Sequence, residues 1–193
     1  ERADDTMSKK VRRTSIGHIK WKNTTGLPTS LIAKWVRLSC QRWSQILEIP
    51  ADWTKKSLGE FVARNRSDEW TSGRAFIFSE KTLVSFSGVG QESPKLEHWR
   101  RFFNVVAHEI GHMAIAHKER YCSGVCDAYL YPPREGTVAW KKHPRSRRHG
   151  QGWGGDEEYV NRIAKKLENE ISDEQVIDWM READRADGNK IAP

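Results

Sequence analysis

His108-Glu109-Ile110-Gly111-His112 sets two imidazoles four residues apart, with a carboxylate directly after the first. Residues four apart on a helix stack on one face, so both rings can converge on a single cation. Zinc accepts imidazole nitrogen at about 2.0–2.1 Å and prefers four-coordinate geometry. Glu109 would then stand beside the ion without ligating it. That is the place for a general base. The ion lowers the pKa of its bound water to about 7, Glu109 accepts the proton, and the hydroxide attacks a polarised carbonyl. Glu109 can pass the same proton to the leaving amine. The spacing therefore predicts peptide-bond hydrolysis with one catalytic Zn2+, His108 and His112 as ligands and Glu109 as the catalytic residue.

A five-residue motif can arise by chance on an ordinary helix, so its setting matters. The flanks, VVAHEIGHMAIAH, are small and apolar, which predicts a largely buried helix. Two histidines and a glutamate on such a helix are costly without a shared purpose. Pro94 suits a first helical turn. Leu96, Trp99, Phe103, Val106, Ile110 and Met113 then keep one apolar face through to about His117. Ahead of this helix, residues 74–79 and 82–87 read as a hairpin of two short strands, able to offer an edge to an extended peptide.

The supporting elements follow the same logic. Thr29 or Ser30 can cap a helix over 29–47, ended by Pro50. Asp156 can cap one reaching about residue 171. Ser172 with Gln175 makes a capping box for a last helix over 173–185. The expected fold is α+β and zincin-like, a small sheet packed on the metal-bearing helix. Residues 28–185 form the domain, 1–27 a basic N-terminal arm, 118–155 a long Pro- and Gly-rich insertion, and 186–193 a tail.

Of 193 residues, 37% are hydrophobic, and nine Trp with six Phe offset that low fraction with large side chains. No stretch approaches the roughly 20 apolar residues that cross a bilayer, so no membrane association is expected. The N-terminus has no apolar core of a secretory signal. The three cysteines, an odd count, argue against a dense disulfide framework, and an intracellular, cytoplasmic protein is expected. The net charge is +7. Its excess gathers at Lys9, Lys10, Arg12 and Arg13, and at Lys141, Lys142, Arg145, Arg147 and Arg148 beside Trp140 and Trp153. Basic residues among aromatics suit DNA, although a solvated loop has the same composition.

Two histidines leave a catalytic zinc site one protein ligand short. His117 lies five residues past His112, turned away from the metal face, and reads as a cation favourable at a helix C-terminus. His149 begins His149-Gly150-Gln151-Gly152-Trp153. With this element downstream of H-E-x-x-H, the chain from about 73 to 167 resembles the SprT-like family, which includes Spartan-type proteases. The resemblance implies His108, His112 and His149 as zinc ligands, Glu109 as base, Trp153 packed beneath the site, and substrates that are proteins on or near DNA. The chain also looks like the ImmA/IrrE peptidases, which take a later glutamate as third ligand and cleave a specific repressor. That likeness implies Glu157 or Glu158 instead. Acids in a first helical turn are favoured with or without a metal, so both sets stay open. A non-catalytic nucleic-acid-binding module with a structural metal is the other class of reading. Cys122 and Cys126 could join His143 or His117 at a second zinc, but two free thiols are the simpler expectation.

Overall fold

Leu31, Ile32, Trp35, Val36, Cys40 and Trp43 recur at helical spacing and form the buried stripe of α1 (Thr29–Leu47). Burying such a stripe, more than intrinsic propensity, is what stabilises a helix of this length. Pro28 occupies the N-cap position and Thr29 is already helical. Glu48 closes the helix in the left-handed conformation (φ 55°), its N–H donating to the Ser44 carbonyl, and Pro50 follows. The computed structural model describes residues 14–66, 72–87, 95–122 and 154–188. Within them the chain is mixed α+β, with one four-stranded sheet and five helices.

The strands are β1 (Lys20–Thr24), β2 (Glu60–Arg66), β3 (Ser72–Phe76) and β4 (Lys81–Ser87). Their order in the sheet is β1-β2-β4-β3. β1 with β2 and β2 with β4 run parallel, while β3 and β4 form the expected antiparallel hairpin, Arg74 opposite Leu83, although the first strand covers 72–76 and residues 77–79, expected to extend it, form a 3-10 turn. The parallel pair β1 and β2 is joined through α1 and the short α2 (Thr54–Ser57), as a parallel connection requires. One face of the sheet carries Phe61, Ala63, Val84 and Phe86, all at most 1% exposed.

Against the helical layer lies α3 (Leu96–His117), carrying the motif. Trp99, Phe102, Phe103, Val106, Ile110 and Met113 are buried along it. Two further helices follow, α4 (Gly154–Asn169) and α5 (Asp173–Gly188). The Ser172–Gln175 capping box forms, with reciprocal bonds of 3.2 Å. Trp35 sits at the centre, its ring 6.0 Å from Phe86, 6.1 Å from Trp99 and 5.5 Å from Trp179, each near edge-to-face. Such pairs add about 0.5–1.5 kcal/mol each beyond area burial, which is how a chain poor in aliphatics fills its core.

Two expectations need correction. The span 1–27 is not simply an arm: Ile16, Ile19 and Leu27 are buried, and residues 20–24 are β1. Lys20, Lys22 and Thr24 are exposed along this edge strand, so its sequence looks polar. Pairing with β2, not local pattern, makes it a strand. Likewise His117 is not the helix-terminal cation expected. It is buried (4% exposed), its Nδ1 sharing a 2.7 Å hydrogen bond with the Ser57 hydroxyl. Smaller differences lie at the helix ends. α4 begins two residues before Asp156, and α5 runs to Gly188, past the expected end at 185. No helix among the described residues is long and apolar enough to cross a membrane.

Candidate metal centre

α3 is held from both sides at the level of the motif. The Trp43 indole of α1 donates to the Ala107 carbonyl over 2.7 Å. One turn on, Gly111 leaves the space that Trp43 and Val160 fill: a Cβ there would meet Trp43 Cζ2 at 2.5 Å and Val160 Cγ1 at 3.0 Å. The absence of a side chain at Gly111 thus lets α1 and α4 both approach the motif.

The approach of α4 is fixed at its other end too. Arg100 of α3 donates to the Ile171 and Glu168 carbonyls over 2.6 and 3.1 Å, satisfying acceptors freed where α4 ends. The Asn104 amide donates to the Glu168 carboxylate over 2.8 Å. Anchored in this way, α4 brings its early residue Glu157 over the motif.

The result is a compact donor set. His108 and His112 Nε2 lie 3.1 Å apart. Glu157 Oε1 is 3.1 Å from His108 Nε2, and Oε2 is 3.0 Å from His112 Nε2. Among the described residues, His108, His112 and Glu157 are the group able to hold a metal ion. A tetrahedral ion with bonds of about 2.0–2.1 Å holds its ligand atoms roughly 3.3 Å from one another. The observed separations approach that value, and two nitrogens with one carboxylate are a donor set zinc takes in catalytic sites. The residues present therefore fit a zinc ion.

The site's electrostatics favour the ligand forms. Burial, then the neighbouring His112, push the His108 imidazolium toward deprotonation, against Glu157 and the Asn161 side chain, which favour the charged ring. Neutral imidazole is the form that binds metal. Glu109 is 6% exposed. Burial, then the nearby charge of Glu157, raise its pKa to about 8, while the Ala75 backbone N–H and the Arg74 charge pull the other way. A divalent ion beside it would add to that downward pull and would leave the carboxylate basic yet ionisable near neutrality.

A cleft of about 630 Å3 opens over these groups. His108, Glu109, His112 and Glu157 line one side, and Gly73–Ile77, from β3 onward, line the other. The strand is close: a Cβ on Gly73 would lie 2.4 Å from Glu109 Cγ.

Of the two third ligands left open by the sequence, Glu157 is brought to the histidines. His149 and Trp153 lie outside the described residues, as do the basic run 141–148, Cys126 and His143. Glu158, the adjacent acid, is not part of the cluster. Cys122 is an exposed free thiol, and Cys40 is buried in α1. Sequence reasoning missed Asn161, one helical turn after Glu157, and the roles of Gly73 and Gly111. Only contacts across the fold reveal them. No family model matches the chain, and no curated protein or solved structure matches it either.

Proposed function

We propose that this protein is a zinc-dependent metalloendopeptidase whose ion is held by His108, His112 and Glu157 and whose general base is Glu109. The observation that carries the reading is the set of three side chains, His108, His112 and Glu157, whose nitrogens and carboxylate oxygens approach one another to 3.0–3.1 Å, with a fourth group, Glu109, lining the same cleft but standing outside the donor set. A structural zinc site is normally closed by four protein ligands, whereas three with an open side is the catalytic pattern. When bound, zinc supplies Lewis acidity, acidifying water and polarising a carbonyl. The chain's own residues do the rest. Glu109 takes the water's proton and returns it to the leaving nitrogen. Its burial keeps bulk water from levelling its basicity.

The cleft also suits an extended peptide. Among the described residues, β3 is the last strand of the sheet, bonded to β4 along one side. The Ala75 N–H instead reaches the Glu109 carboxylate, so backbone groups on the other side face the cleft. A peptide added along that edge would pass over the metal ligands. Glu157 as third ligand favours the ImmA/IrrE-like pattern over His149 of the SprT-like one. A substrate on DNA rests on the SprT-like resemblance and on the basic run 141–148 alone.

Glu109→Gln tests the reading. Zinc-loaded wild type is expected to cleave a denatured protein substrate, and the variant to keep stoichiometric zinc without cleaving. Wild type that binds zinc but cleaves nothing would favour the non-catalytic binding module.

A further inference from the structure

The strand that walls the cleft has two unlike faces. A side chain at Gly73 would run into Glu109, so Gly73, and Ala75 two residues on, look toward α3. Arg74 and Phe76 alternate with them and project to the opposite face, both exposed, yet both still line the cleft mouth. The Arg74 guanidinium stands 5.8 Å from the centre of the Phe76 ring. A cation and an apolar ring thus sit side by side at the rim, two residues apart on an edge strand.

An extended peptide paired along this edge turns alternate side chains to the same two faces. Two of them, themselves two residues apart, would come beside Arg74 and Phe76. Guanidinium and carboxylate are complementary in shape and charge. A phenyl ring at 36% exposure gains by being covered with apolar surface.

We propose that Arg74 and Phe76 are specificity-determining residues, selecting peptides that carry an acidic side chain two residues from an apolar one. The inference rests on the peptidase reading for the peptide's path, but it concerns which sequence binds and not the chemistry. Among the described residues, the other charged groups lining the cleft, Glu109 and Glu157, are acidic. They cannot supply this preference, so it is traceable to Arg74.

The test uses the full chain loaded with zinc. Binding of an Asp-x-Leu and a Lys-x-Leu peptide series, in both chain directions, is measured to Glu109→Gln, and cleavage to wild type. The acidic series is expected to bind and be cleaved roughly fivefold better, the range of a good cross-strand pair. Arg74→Glu should reverse that ratio, Arg74→Gln should bring it to one, and Phe76→Ser should weaken both series alike. The ratio of the two series is the readout, because Arg74 also acts on Glu109 and changes turnover of all peptides together. Both side chains are exposed, so the variants are expected to melt like wild type.

Cleavage without an acidic preference, or a preference that survives Arg74→Glu, overturns the proposal and leaves the peptidase reading standing. An acidic preference in binding that reverses with Arg74→Glu, in a protein that cleaves nothing, supports the selectivity and overturns the peptidase reading.

Discussion

Gly73 of β3 and Glu109 of α3 are so close that a Cβ on the glycine would stand 2.4 Å from Glu109 Cγ and 2.5 Å from its Oε1. Strand and helix can meet at this distance only without a side chain between them. Gly73→Ala therefore forces the movable partner, the Glu109 side chain, off its place. Displacing a catalytic group by about 1 Å can reduce rate roughly 100-fold. A fall in kcat of that order is expected, with zinc affinity and KM nearly unchanged, because the donor set is untouched and the added methyl points at Glu109 and leaves the backbone groups of β3 in place. Stopped assays with parallel zinc titration check this. Equal loss of zinc and activity would place Gly73 in general packing instead.

Glu157 meets both imidazoles, whereas Glu158, beside it in sequence, is not in the cluster. Removing a ligand should cost more than removing an outer-shell partner, itself typically 10–100-fold in affinity. Glu157→Ala is expected to weaken zinc binding by more than about 100-fold, and Glu158→Ala to leave it unchanged. Chelator competition measures both. His149→Ala belongs in the same series: if it, and not Glu157→Ala, releases the zinc, then His149 and not Glu157 is the third ligand.

How far the sequence could be read depended on the range of the interactions involved. α1, α3, the β3–β4 hairpin and the Ser172 capping box are set by local periodicity and local bonds, and all were legible. β1 and β2 were not. Lys20, Lys22, Glu60 and Arg64 give them polar surfaces, and their strand character comes from pairing with segments far along the chain. The two histidines were legible because one helix fixes their separation. The choice between His149 and the Glu157–Glu158 pair stayed open, since spacing along the chain says nothing about how a later helix folds back. His117 was misread for the same reason: Ser57 and Trp53, which enclose it, lie on a distant turn.

Gly111 poses a contest of signs. Glycine inside a helix is about 1 kcal/mol worse than alanine, so Gly111→Ala ought to stabilise α3 on propensity alone. The added Cβ, however, would lie 2.5 and 2.8 Å from two atoms of the Trp43 ring. That ring cannot swing away easily, because its Nε1 is bonded to the Ala107 carbonyl. Overpacking of this kind typically costs 1–3 kcal/mol. Net destabilisation of up to about 2 kcal/mol is therefore expected by urea unfolding, together with weaker zinc binding as Val160, and Glu157 with it, is pushed outward. Trp43→Phe combined with Gly111→Ala should lose less than the two single changes added together. Strict additivity would mean the clash is absorbed elsewhere.

His117 makes a pH prediction that is independent of the metal ligands. Burial, and next the charge of Lys56, lower its pKa to about 4, against a weaker opposing pull from Asp52. The unfolded chain takes up this proton near pH 6.5. Between pH 6.5 and 4 the unfolded state thus binds more protons than the folded one at this residue. Its contribution to stability is complete above pH 6.5 and declines as the pH falls toward 4. His117→Phe keeps a ring beside Trp53 and Tyr121 but leaves the Ser57 hydroxyl unpaired, which costs about 1–3 kcal/mol at neutral pH. The advantage of wild type over this variant should be greatest at pH 7 and shrink steadily toward pH 4, as read from urea unfolding of zinc-free protein. An advantage that grows on acidification would mean that His117 is protonated in the folded state, the cation that its place at the end of α3 suggests.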